Sequence, residues 1–212
     1  MKSMFYECVS LTSIGLSYFN TEKVTNMELM FAGCHKLTSI NLSHFNTKSV
    51  TSLANMFEDC MGLAYLDLSN FNTEQVTDMS FMLFGCAALT SIDLTHFVTD
   101  KVTTMEYMFK GCTSLTSSPA LPAQTLWTAC YQSMFEGCTS LTTAPVLPVT
   151  DLSDSCYYSM FSGCASLTTA PVLPATKLRN SCYSHMFKNC TSLTSAPELH
   201  ATSLANYCYQ SM

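Results

Sequence analysis

From Cys8 onward a cysteine returns every 26 residues, at Cys34, Cys60, Cys86, Cys112, Cys138, Cys164 and Cys190. Three residues after each stands a leucine, from Leu11 to Leu193, and four before each stands a methionine, from Met4 to Met186. Eight such units follow one another without insertion or deletion, and Met212 opens a ninth. Repetition this strict leaves one kind of architecture open. Each unit is too short to bury its own apolar face, so neighbours must stack and like residues must lie over like.

Within a unit, "LTSINLSHF" (Leu37 to Phe45) alternates Ile40 and Leu42 with polar neighbours, the period of a strand. One strand per unit, stacked in parallel register, would give a spacing of about 4.8 Å. The preceding "TNMELMFAGC" sets Met27, Met30 and Phe31 at the spacing of one helical face. Thr25 with Glu28, and Thr103 with Glu106, read as capping boxes that open the helix. Gly33, Asp59, Gly85, Gly111, Gly137, Gly163 and Asn189 stand just before the cysteines, where a helix ends on a left-handed residue; Glu7 alone departs from the set. The expected fold class is therefore α/β: a right-handed leucine-rich-repeat solenoid of eight 26-residue repeats, with a parallel β-sheet on one face and short helices on the other. Phe19, Phe45, Phe71 and Phe97 are expected to stack as an aromatic spine.

The chain reads as a single repeat domain over residues 1–212, with a change of pattern halfway. Residues 1–104 hold four units of the type "LTSIxLSxFNT", and residues 105–212 hold four of the type "LTTAPVLPAT". Pro119, Pro145, Pro171 and Pro197 enter at a strand position, and a second cysteine column appears at Cys130, Cys156, Cys182 and Cys208. Proline cannot donate to a ladder. The second half is therefore expected to keep a strand of three or four residues followed by a polyproline-like run. Both ends fall inside the repeat pattern and neither carries a polar cap. The sequence is thus expected to be a piece of a longer protein, able to associate end to end through its open edges.

Composition narrows the function. Charged residues make up 11% of the chain, against roughly 25% in an ordinary globular protein, and the net charge is −6. With no basic run, nucleic acid is excluded as the expected partner. No continuous apolar stretch is long enough to span a membrane. None of the common nucleophile, phosphate-loop or zinc-protease motifs is present, so the expected reading is non-enzymatic, with no catalytic residues and no cofactor.

"LTSINLSHFNTKSVTSLANMFEDC" and "FNTEQVTDMSFMLFGC" resemble the bacterial surface protein 26-residue repeat. That family overlaps the BspA-type leucine-rich repeats and the repeats of Mycoplasma and Listeria lipoproteins. Residues 1–104 carry the resemblance closely, and residues 105–212 carry it through Met-Phe-x-Gly-Cys-x-x-Leu. It implies a secreted or cell-surface location and adhesion through binding of a host or neighbouring-cell protein or glycan. It supplies no catalytic residues.

The twelve cysteines admit two readings. Neighbours in a column would lie close enough for disulfides, but a ladder of buried free thiols keeps the stack even. His44 and His96 share a column two units apart, about 10 Å, too far to share a metal. Asp67 and Asp93 form a polar column that reads as a solvated stripe, or else as a grip for a cation. The expected binding face is the open side of the sheet: Ser39, Asn41, Ser43, Tyr65, Asp67, Ser69, Ser91, Asp93 and Thr95, with Pro145, Leu147, Pro171 and Leu173 in the second half. For that half two outcomes stay open: a Pro/Leu stripe that binds something, or a leucine column that turns inward. The alternative to a binding module is a structural spacer in a long surface protein.

Overall fold

The structure, a computed structural model, describes residues 1–121, 123 and 125–212. The chain winds into stacked rungs whose register is the 26-residue repeat. Eight isolated parallel bridges mark it, from Asn26↔Ser52 and Ser52↔Asp78 in the first half to Thr143↔Thr169 and Lys177↔Ser203 in the second. Among the described residues there is no α-helix, and no bridge extends into a strand. The expected α/β class, with a parallel sheet backed by helices, is therefore corrected. The rungs are built of turns.

The segment expected to be helical shows why. In Met27–Cys34 the main-chain N–H groups of Met27, Leu29, Phe31 and Gly33 donate to the next rung, at Ser52, Ala54, Met56 and Glu58, over 2.8–3.1 Å. The intervening N–H groups of Met30, Ala32 and Cys34 reach back three residues, to Met27, Leu29 and Phe31. Leu29 and Gly33 adopt φ of +57° and +75°. A left-handed residue at every fourth position breaks any α-helical run, whose bonds reach back four residues. The inward residues of such a chain of turns still recur at three and four, so Met27, Met30, Phe31 and Cys34 are all fully buried. Apolar periodicity alone does not separate the two structures.

The residues before the cysteines do take the left-handed conformation expected of them, with φ between +54° at Asp59 and +77° at Gly111. Glu7 adopts it too, at +55°. The expected capping boxes are corrected. Asn26 Oδ1, not Thr25, accepts the Glu28 N–H at 2.9 Å, and Thr104 Oγ1 accepts that of Glu106 at 3.3 Å. Thr25 instead offers its carbonyl to the Thr51 N–H at 2.8 Å.

In the first half each rung then makes two turns, closed by Phe45 N–H to Leu42 O and by Val50 N–H to Thr47 O, both 2.9 Å. The motif "FNT" supplies their parts. Phe45 is buried, and Asn46 Oδ1 accepts the Lys48 N–H at 3.1 Å. The buried Thr47 clamps the next rung, donating to Asn72 O at 2.9 Å and accepting from Asn72 N–H at 2.7 Å. In the second half the backbone runs extended instead. Pro145, Leu147 and Val149 point in, while Val146 and Pro148 point out. Only single bridges occur there, among them Ser117↔Thr143, Thr143↔Thr169 and Leu173↔Leu199, so the expected strand of three or four residues is corrected as well. Proline fits because its fixed φ suits an extended run that asks for no ladder donor.

One core runs through the stack. Its stacked rings are not Phe19, Phe45, Phe71 and Phe97 as expected, but the phenylalanines that follow the methionine column. Phe5, Phe31 and Phe57 stack at 5.5 Å, and Phe109, Phe135, Phe161 and Phe187 at 5.4–5.9 Å. Behind them the column Met27, Leu53, Met79, Met105 gives way to Tyr131, Tyr157, Tyr183 and Tyr209, whose rings lie 5.7–6.0 Å apart. No helix of the structure is long and apolar enough to cross a membrane among the described residues.

Candidate interaction surface

The first-half residues of the expected face are all exposed: Ser39, Asn41 and Ser43, then Tyr65, Asp67 and Ser69, then Ser91, Asp93 and Thr95. Local backbone demands explain much of the column. The side chains of Asn41, Asp67 and Asp93 each accept the main-chain N–H two residues on, at 3.0, 2.9 and 2.9 Å. These are Asx turns, which hold the bend that follows each inward leucine. Hydrogen bonds from Ser69 and Thr95 favour the charged form and hold the Asp67 and Asp93 carboxyls below the usual value. Tyr65 is the protruding apolar group of this patch, 70% exposed.

In the second half the structure separates residues that the sequence left together. Pro145, Leu147 and Leu173 are buried and Pro171 is half-buried, so the leucine column turns inward at Leu147 and Leu173, while Leu199 stays exposed. The residues between them face solvent. Val146 is 81% exposed and Val172 70%. Shallow grooves separate successive rungs on this side. One of ≈ 360 Å³ lies between Pro119 and Pro145, and one of ≈ 430 Å³ between Pro145 and Pro171. Both are walled by alanine, proline and Val146, and Val172 closes the second. Strict alternation along an extended segment with inward Leu147 would have located these valines.

The cysteines belong to the core. All twelve are free, and every one but Cys8 is buried. Cys34, Cys60, Cys86, Cys112, Cys138, Cys164 and Cys190 donate their S–H to a main-chain oxygen of the preceding rung at 3.0–3.3 Å. Burial pushes the thiols up, to about 12 for Cys112 and Cys156 and about 11 for Cys130 and Cys182. Such thiols carry almost no thiolate at neutral pH. His96 is likewise structural, its Nε2 lying 2.9 Å from the Leu68 carbonyl.

Residues 1–66 and 65–147 match the model of a family described as "Mycoplasma protein of unknown function, DUF285". Among solved structures, a leucine-rich repeat protein from Bacteroides ovatus is similar over 92% of this chain and 62% of its own length, at 18% identity and a TM-score of 0.36. A leucine rich cell surface protein from Faecalibacterium prausnitzii is similar over 91% of this chain and 74% of its own, at 19% identity and a TM-score of 0.29. No functionally curated protein matches the sequence. The family match covers more than half of the chain and falls on its 26-residue columns. The chain therefore belongs to the Mycoplasma DUF285 family, the repeat group that its Met-Phe-x-Gly-Cys-x-x-Leu columns resemble.

Proposed function

We propose that the chain is a non-enzymatic interaction module of a bacterial cell-surface protein, binding a protein partner on the outward row of its second half. One observation carries the reading: Val146 and Val172 stand 81% and 70% exposed above proline-walled grooves. Branched apolar side chains repeated outward from a rigid backbone are costly to leave in water, and such patches usually mark interaction sites. The row lies on the half of the chain with little charge. Residues 105–212 hold 4 Lys/Arg and 5 acids, net −1, whereas residues 1–104 hold 5 and 10, net −5. The occupant that fits is an extended segment of a protein partner, its apolar side chains entering successive grooves one rung apart. The resemblance of the columns to bacterial surface repeats supports an extracellular setting. Tyr65 and its Ser/Asx neighbours would form a secondary, polar patch.

The probe is a phage-displayed random-peptide library selected on the intact chain. Apolar peptides should be enriched, and Val146→Asp with Val172→Asp should abolish their binding while Tyr65→Ala leaves it intact. Failure to enrich any peptide, or binding indifferent to both valines, would favour a structural spacer.

A further inference from the structure

The two kinds of rung meet between Thr99 and Trp127, and they do not match. The last two-turn rung closes on Phe97 N–H to Leu94 O at 3.0 Å and Val102 N–H to Thr99 O at 2.9 Å. Beyond it the described residues show a single bridge at Ser117 and no such pair of turns. One repeat after Phe97 the inward side chain shrinks to Ala123, and one repeat after Lys101 the outward side chain becomes Trp127. The mismatch leaves an interior gap of ≈ 10 Å³ between Phe97, Leu121 and Met134. On the outside it leaves a cleft of ≈ 260 Å³ lined by Thr99, Asp100, Val102, Thr125 and Trp127. Trp127, the chain's single tryptophan, is 56% exposed there.

We propose that this seam cleft is a sugar-binding subsite for a β-linked, gluco-configured pyranose. Such a ring carries axial C–H groups on each face and equatorial hydroxyls around its rim. The C–H face lies flat on an indole, which offers a broad apolar surface with a negative π face. The rim hydroxyls meet the Asp100 carboxylate and the exposed Thr125 hydroxyl, while the buried Thr99 closes the cleft from below. A carboxylate accepts from two donors at once, and its hydrogen bonds are among the stronger ones. Among the described residues Asp100 takes part in none of the ion pairs, and the neighbouring Lys101 Nζ is held 2.6 Å from Gln75 Oε1. Asp100 thus faces the cleft without an internal cation. The volume falls below the roughly 300 Å³ at which drug-sized pockets begin, so the cleft takes one ring of an oligosaccharide and leaves the rest to solvent. A quaternary ammonium would call for a cage of several aromatic rings, and the lining holds one.

The site is independent of the valine row, and Trp127 reports on it directly through its emission. The intact chain is titrated with cellotetraose and with chitotetraose, and binding is repeated by calorimetry so that Trp127→Ala can be read. A saturable change of emission with at least one of the two sugars is expected. Asp100→Asn should weaken it at least tenfold, Trp127→Ala should abolish the calorimetric signal, and Val146→Asp should change neither. Absence of any saturable change with both sugars, unaltered affinity in Asp100→Asn, or an equal response to choline would overturn the assignment.

Discussion

The Cys60 thiol donates to the main-chain oxygen of Phe31, one rung back, at 3.3 Å. Repeated down the stack, this contact makes the most regular column of the sequence a packing device. A buried thiol here fills a small apolar site and satisfies a carbonyl that the ladder leaves half used. Twelve titratable thiols are therefore expected after denaturation without reductant, with at most the partly exposed Cys8 reacting in the native protein. Fewer than twelve in the denatured chain would mean that disulfides link the rungs.

Thr47 offers a test of what joins neighbouring rungs in the first half. Valine has the same shape but removes both bonds to Asn72, at 2.9 and 2.7 Å, and leaves main-chain groups unpaired. Thr47→Val should cost about 1–3 kcal/mol in a thermal or urea denaturation. Thr47→Ser, which keeps the hydroxyl, should cost clearly less. Equal losses would show that the methyl group, and not the clamp, matters.

Two glycines before cysteines should respond differently to the same change. Gly85 and Gly111 have φ of +69° and +77°, so alanine carries the left-handed penalty of about 1–2 kcal/mol at either. At Gly111 a Cβ would find its nearest neighbour, Gly85 Cα, at 3.7 Å, whereas at Gly85 it would collide with the Asp59 carboxylate. Gly85→Ala should be the more destabilising of the two by denaturation midpoint. Asp59→Gly in the Gly85→Ala background should recover most of the excess.

The exposed Asx turns give the first half a mild acid sensitivity. Main-chain and side-chain hydrogen bonds from Ser69 and Thr95 lower Asp67 and Asp93 from their ordinary 3.8. A carboxyl with a lowered folded value stabilises the fold above its unfolded value and loses that contribution as pH falls through the folded one. Stability should therefore drop below pH 3.8, with both groups seen by NMR to titrate under that value. Asp67→Asn keeps the turn acceptor and should remove its share of the pH dependence.

Part of this structure was legible in the sequence. The rung register followed from the spacing of Cys34 and Cys60, and the left-handed conformation before the cysteines followed from glycine and asparagine there. The helix did not survive, because Met27, Met30 and Phe31 have the same spacing in a chain of turns. The residues that decide between the two, Leu29, Phe81 and Tyr107 at φ near +57°, bear no compositional mark. At the candidate surface the exposure of Tyr65 and Asp67 was readable from alternation. The inward turn of Leu147 was not, because it depends on the loss of the turn that links Leu42 to Phe45 in the first half. The seam cleft at Trp127 was missed altogether, since it arises from the mismatch of two rung types and from no motif.

Turns, and not helices, build each rung. NMR backbone shifts and three-bond couplings through Met27–Cys34 and its counterparts test it most directly. Left-handed values are expected at Leu29, Asn55, Phe81 and Tyr107, with no continuous helical run. Uninterrupted right-handed helical shifts across those four positions would contradict it.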